Sequence, residues 1–136
     1  MIIKEFISQA NKYQMISTLL KHYRVSSIKV KQKSMKDHAH FDYERGVLEL
    51  STRYKTIKSS QTKEFLITII HEIRHAMDAK KYGWRKFRDM YEWEMNYQIS
   101  KGKDEYKHNK YEIEAEEFGQ KNWRKWQKTF KKQDLF

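Results

Sequence analysis

The chain has 136 residues and carries 29 Lys and Arg against 18 Asp and Glu, which gives a formal net charge of +11. This length predicts a single domain over residues 1–136, and the absence of cysteine excludes disulfide scaffolds, thiolate zinc sites and cysteine nucleophiles. The charged fraction of 35% and the mean hydropathy of -1.03 leave no apolar span of about 20 residues, so we expect no membrane helix.

The first predicted element is an amphipathic helix near the N-terminus. Its segment mixes apolar residues with Lys, Glu, Gln and Asn and so lacks the unbroken apolar core of a signal peptide. We therefore expect a cytoplasmic protein, located in the host cytoplasm if a phage encodes it. The helix is predicted because apolar residues recur at spacings of three and four, namely Ile3, Phe6, Ile7, Ala10, Ile16, Leu19, Leu20 and Tyr23.

Three short strands are predicted next, because the apolar period changes after this helix. Apolar residues spaced among Ser and Lys indicate the first strand over 25–30. Residues 41–44 then alternate apolar and acidic, Glu44–Gly46 supply a turn, and apolar residues resume at Val47. This pattern predicts a hairpin in which Gly46 takes the positive-φ position.

The longest predicted helix covers about residues 62–81. Ser59 or Thr62 is expected to cap it, because suitable residue types stand just before the apolar run, and Gly83 is expected to end it.

Two more helices follow, one over about 85–99 and one from about Asn109 into the 120s, with a break at Gly102. The predicted order of one helix, three strands and three helices is an α+β domain. The apolar set expected to pack from the helix over 85–99 is Phe87, Met90, Tyr91, Trp93 and Tyr97.

The longest helix contains the sequence H-E-x-x-H over His71–His75. Residues four apart project from one face, so both imidazoles can reach a single metal ion, and zinc suits neutral imidazole. Glu72 is turned by about 100° from His71, which can place its carboxylate beside a metal-bound water. Both histidines fall opposite the apolar stripe of the helix, so we expect them to face a cleft or solvent. The alternative is a pair of surface histidines.

A third ligand is available on the last helix, where Glu112 and Glu116 are four residues apart. Glu112 can bind the metal while Glu116 accepts the Nδ1–H of a ligand histidine. The alternative is an ordinary acidic helix face. Asp78, one turn after His75, is either a residue that contacts a metal-ligand side chain without binding the metal or an exposed charge at the helix end.

These motifs resemble those of small bacterial and phage zincin-like metallopeptidases. The similarity is closest to the repressor-cleaving group, which has H-E-x-x-H and then a helix with E-x-x-A-[ND]-x-F-A. Here H-E-x-x-H is followed after about 36 residues by Glu112, Ala115, Phe118 and Gly119, with Glu116 standing where that family carries Asn or Asp. The resemblance covers roughly residues 40 to 120 and implies a zincin-like fold with Glu112 as the third zinc ligand.

The resemblance also implies a mechanism. Zinc on His71, His75 and Glu112 lowers the pKa of a bound water toward 7, and Glu72 takes its proton and passes it to the leaving amine. Candidates for stabilising the oxyanion precede or follow the start of the last helix, namely Tyr106, His108 and Tyr111.

Zincins lay an edge strand along the cleft and bind the substrate backbone by strand addition. The hairpin strand that begins at Val47 is the expected edge. Its substrate-binding residues would be Val47, Leu48, Glu49 and Leu50.

Two further features have ordinary explanations. His38 and His40 form an H-x-H that can bind metal in a strand, although a polar loop is favoured. The run Lys121–Lys132 interleaves cations with aromatic residues, which suits either contact with nucleic acid or, preferably, an amphipathic helix with packed aromatics.

The sequence therefore predicts a monomeric, zinc-dependent metallopeptidase that acts on a protein or peptide. Its basic surface also admits a nucleic acid or an acidic protein as a partner. The alternatives are a basic nucleic-acid-binding module and a zincin-fold binding protein without catalytic activity.

Overall fold

The computed structural model describes residues 6–136, which form an α+β architecture with four helices packed against short strands. The α+β prediction is therefore confirmed. None of the helices in residues 6–136 combines the length and apolar character needed to cross a membrane. The elements in chain order are β1 (Phe6–Ile7), α1 (Gln9–His22), β2 (Lys29–Lys33), β3 (Ala39–Asp42), β4 (Val47–Ser51), β5 (Ile57–Lys58), α2 (Thr62–Tyr82), α3 (Trp84–Ser100) and α4 (Lys110–Lys132).

The N-terminal helix is shorter than predicted. Ile3 lies outside the described residues, while Phe6 and Ile7 form β1, which pairs antiparallel with β5. The helix begins only after Ser8, whose hydroxyl accepts a hydrogen bond from the backbone N–H of Asn11 at 3.1 Å. The apolar residues keep their helical spacing on both sides of this cap. The prediction from periodicity alone therefore placed the start of the helix too early in the chain.

The three-stranded sheet has the order β2-β4-β3, with β2 parallel and β3 antiparallel to β4. The hairpin prediction is confirmed: Gly46 has φ 67°, and its N–H donates to the carbonyl of Asp42 at 2.8 Å. The first strand begins at Lys29, later than predicted, because the buried Val25 still donates its N–H to the carbonyl of Leu20 in α1.

The predicted substrate edge is wrong. β4 is the central strand and is hydrogen-bonded on both sides, so its backbone cannot accept another strand. The chain after α1 returns as β2 and covers the edge that the hairpin alone would leave free. The edges of this sheet are β2 and β3, and the residues excluded from the edge role are Val47, Leu48, Glu49 and Leu50.

The start of α2 also differs from the prediction. A 3₁₀ turn over Ser59–Gln61 leads into the helix, and Gln61 occupies the cap position without a side-chain capping bond. The Thr62 hydroxyl donates to the carbonyl of Ser59 at 2.6 Å, which ties the turn to the first residue of the helix. At the other end Gly83, with φ 83°, ends α2 as predicted and α3 begins at the next residue.

α3 packs by part of the predicted apolar set, because Phe87, Met90 and Tyr91 lie in or against the core. Phe87 is buried and Tyr91 is half-buried, but Trp93 is 64% exposed and stacks on Tyr97 at the surface with a centroid separation of 5.3 Å. The buried residues in the later turns of α3 are polar, namely Glu94 and Gln98. They pair with each other, since the Gln98 amide donates a hydrogen bond to the carboxylate of Glu94 at 2.9 Å.

α4 starts where the sequence predicts, since the Asn109 side chain accepts the N–H of Tyr111 at 2.9 Å. It lies against α2, and the two helices are close at Gly119, where a Cβ would come within 2.9 Å of the Ile67 carbonyl oxygen. Trp126 and Phe130 are buried, so the preferred prediction that these aromatics pack beneath a basic face is confirmed.

Candidate metal centre

The H-E-x-x-H segment lies in the middle of α2, and its two faces have different surroundings. The apolar face is fully buried in the core at Ile69, Ile70 and Ile73. His71 and His75 point the other way, as predicted, but they do not face solvent: only 8% and 7% of their surfaces are exposed. The prediction of a cleft or solvent holds for His71, which lines an open cleft, while the packing of α3 and α4 across this side of α2 keeps both histidines largely away from solvent.

The two histidines and Glu112 converge on one point. Glu112 Oε1 lies 2.9 Å from His71 Nε2 and 2.7 Å from His75 Nε2. One ligand atom from each of the three residues lies within 4.8 Å of the others. Glu112 belongs to the first turn of α4, where the positive end of the helix dipole favours a carboxylate.

The charges of these groups support one another. Burial raises the pKa of Glu112, but the hydrogen bonds from His71 and His75 outweigh it and hold that pKa well below its usual range. Burial lowers the pKa of His71, whereas the contact with Glu112 and the charge of Glu72 raise it, with a net value of about 9. Without metal, the centre therefore holds an ionised carboxylate against a protonated imidazole.

Glu72 lies beside this group and lines an open cleft of about 610 Å³. Burial raises the pKa of its carboxyl, and the two neighbouring histidines partly oppose the rise. His71 lines the same cleft, together with Ala39 at the start of β3. The cleft thus runs between the H-E-x-x-H helix and an edge strand, which is β3 rather than β4.

Two outer contacts hold the candidate ligands. Glu116 Oε2 lies 3.0 Å from His71 Nδ1, the atom that sequence reasoning assigned to it. The Tyr91 hydroxyl donates to Glu112 Oε2 at 2.5 Å, a contact that the sequence does not indicate. Tyr91 follows Phe87 by one helical turn, so its position in the sequence marks it only as part of an apolar face.

Asp78 is buried, with 7% of its surface exposed, so the alternative of an exposed helix-end charge is wrong. Its Oδ1 lies 3.5 Å from Arg74 Nε. Within residues 6–136 neither its Oδ2 nor His75 Nδ1 has a hydrogen-bond partner, so the structure does not join Asp78 to a candidate ligand.

Only one of the three oxyanion candidates lies at the cleft. Tyr106, in the loop between α3 and α4, lines the cleft and a second cavity of about 350 Å³ that also borders His71 and Glu112. Burial, Glu112 and Glu72 raise the pKa of its hydroxyl, which stays a proton donor. Tyr111 is buried against Phe87 instead, and His108 is exposed and lines neither cavity.

The H-x-H pair does not form a joint site. His38 Nδ1 lies 2.6 Å from the hydroxyl of the buried Tyr54. His40 is exposed in β3 opposite Glu49, so the favoured prediction of a loop is wrong at this residue.

The donor set fits zinc, because two imidazole nitrogens and one carboxylate oxygen form a recurrent set of three protein ligands in catalytic zinc sites. The three donor atoms are buried and lie close enough together to contact a single ion. Comparisons with protein-family models, with curated proteins and with solved structures find no match.

Proposed function

We propose that the chain is a zinc-dependent metallopeptidase with a zincin-like fold that hydrolyses peptide bonds of a protein substrate. The observation that carries the proposal is the convergence of His71, His75 and Glu112 beside Glu72 at the wall of an open cleft. Together, these features meet the needs of metal-assisted hydrolysis: three ligands, a base next to them and room for a polypeptide.

His71, His75 and Glu112 would hold the metal. Bound there, zinc supplies a Lewis acid for the scissile carbonyl and makes water a nucleophile near neutral pH. Glu72 accepts a proton from the attacking water and returns it to the leaving amine, and burial, which raises the pKa of its carboxyl, suits it for both tasks. Tyr106 offers a hydroxyl donor at the cleft for the developing oxyanion.

The substrate path follows β3. Ala39 lines the cleft, and β3 is paired on one side only within the sheet, so its other edge has free backbone groups. An extended polypeptide can add to this edge and lie across the face of α2 that carries Glu72. The proposed substrate is therefore an unstructured or locally unfolded protein segment.

The first test combines metal content with hydrolysis of a library of unstructured peptides. Wild-type protein should bind one zinc ion, and Glu72→Gln should keep that zinc while its rate falls by about 10² to 10⁴-fold, the usual contribution of a general base. Glu92→Gln, an exposed carboxylate of α3, is the matched control and should retain wild-type activity.

Each outcome separates the proposal from its alternatives. Zinc bound in one equivalent with no hydrolysis of any peptide would point to a zincin-fold binding protein. Absence of zinc, together with salt-dependent affinity for DNA or RNA that His71→Ala leaves unchanged, would point to a nucleic-acid-binding module.

A further inference from the structure

The two oxygens of the Glu112 carboxylate have separate surroundings. Oε1 faces both imidazoles, 2.9 Å from His71 Nε2 and 2.7 Å from His75 Nε2. Oε2 points away from them and accepts the hydroxyl proton of Tyr91 at 2.5 Å. One oxygen is thus directed at the metal position while the other is held by a different helix.

Tyr91 is itself fixed by packing. Its ring stacks on Tyr111 with a centroid separation of 6.3 Å, and it meets the rings of Phe87 and His75 edge-on at 6.2 and 6.3 Å. Its carbonyl oxygen accepts a hydrogen bond from the Asn109 side chain at 3.5 Å, next to the cap of α4. The hydroxyl therefore has a defined position relative to the helix that carries Glu112.

We propose that Tyr91 is a positioning residue that makes Glu112 a one-oxygen ligand of the metal. This inference rests on the proposed function, since it concerns the same centre. A carboxylate that is free to rotate can bind zinc through both oxygens and so occupy the position that catalysis requires for water. A hydrogen bond from Tyr91 to Oε2 prevents that rotation and keeps the position open.

The hydroxyl of Tyr91, rather than its ring, holds the Glu112 carboxylate in place. The hydroxyl is the group that reaches Glu112 Oε2, whereas the ring contacts Phe87 and Tyr111. Phenylalanine retains the ring contacts with Phe87 and Tyr111 and removes only the donor. Tyr91→Phe is therefore a clean deletion of one hydrogen bond.

The experiment measures zinc affinity by competition with a chelator and the binding mode of the carboxylate by X-ray absorption at the zinc edge. We expect Tyr91→Phe to raise the zinc Kd by about 10 to 100-fold, the usual effect of losing an outer partner of a ligand. We also expect Glu112 to bind through both oxygens in this variant and to displace the water, so that the oxygen count is unchanged but the shell gains the short zinc–carbon distance of a chelating carboxylate. Tyr97→Phe, at a surface position of the same helix, should change neither quantity.

The wild-type protein gives an independent reading if Tyr91→Phe fails to fold. Its zinc shell should contain a single oxygen from Glu112, and a two-oxygen carboxylate there would overturn the inference. Equal Kd and the same carboxylate binding mode in wild type and Tyr91→Phe would also overturn it. Zinc binding without hydrolysis would contradict the proposed peptidase activity and leave the role of Tyr91 intact, whereas a wild type that binds no zinc would end both.

Discussion

At the scale of single residues, the imidazole of His71 is held from both sides by carboxylates of α4. Glu112 Oε1 lies 2.9 Å from Nε2, and Glu116 Oε2 lies 3.0 Å from Nδ1. The two glutamates are one helical turn apart, so a single helix supplies both partners. An acceptor at Nδ1 places the proton there and leaves the lone pair of Nε2 for a metal.

Replacing Glu116 tests this arrangement. Glu116→Ala removes the acceptor for His71 Nδ1, so we expect the zinc Kd to rise by about 10-fold or more. The measurement is zinc competition at fixed pH, with Glu117→Ala as the control on the neighbouring exposed position. Equal zinc affinities of the two variants would show that Glu116 does not orient the ring.

At the scale of elements, the centre depends on how closely α4 approaches α2. Gly119 is one point of close contact, and it lies seven residues after Glu112, or about two helical turns. A small shift of α4 at this point would move both glutamates relative to the histidines. Because Gly119 has no Cβ, α4 can approach the backbone oxygen of Ile67 this closely.

Gly119→Ala has two opposing effects on the free energy of unfolding. Alanine favours a helix over glycine by about 1 kcal/mol, while a Cβ within 2.9 Å of the backbone oxygen of Ile67 forces the helices apart. Overpacking of this kind costs about 1 to 3 kcal/mol, so the net free energy of unfolding should fall. Urea unfolding of the metal-free protein measures it, with the exposed Gln120→Ala as control. An increase in stability would show that α4 has room to move.

The elements also show how far sequence reasoning extends. Helix positions and the H-E-x-x-H geometry are local properties of spacing. Glu112 was a candidate ligand because a second glutamate follows it one turn later, and the motif resemblance favoured it over an ordinary acidic helix face. The central position of β4 depends on a parallel pairing with β2, which no local pattern records. The contact of Tyr91 with Glu112 was not predicted for the same reason, because only the packing of α3 on α4 brings the two side chains together.

At the scale of the whole molecule, three helices meet at the centre, so its ionisation contributes to global stability. α2 supplies His71 and His75, α4 supplies Glu112 and Glu116, and α3 supplies Tyr91. The protein as a whole carries +11, yet this interior group is rich in carboxylates. Without metal, the proton bound by His71 is a counter-charge within it.

The stability of the metal-free protein should therefore fall as the pH rises from neutral to alkaline. The folded state holds the pKa of His71 at about 9, above its ordinary value of 6.5, so the contribution of protonated His71 is complete below pH 6.5 and is lost as the pH passes 9. The loss is on the order of 3 kcal/mol, because a tenfold change in proton affinity is worth about 1.4 kcal/mol.

Acidification also lowers the stability of the metal-free protein, in this case through Glu112. The pKa of its carboxyl lies below its ordinary value of 4.5, so its contribution is present above that pH and is lost on acidification. Chemical unfolding in the presence of a chelator, from pH 4 to 10, should give a maximum between these limits. Glu112→Gln should flatten the alkaline decline, because His71 then lacks its strongest partner, whereas the exposed His108→Asn should keep the wild-type curve. Stability that stays level or rises from pH 6.5 to 9 would contradict a protonated His71 in the folded protein.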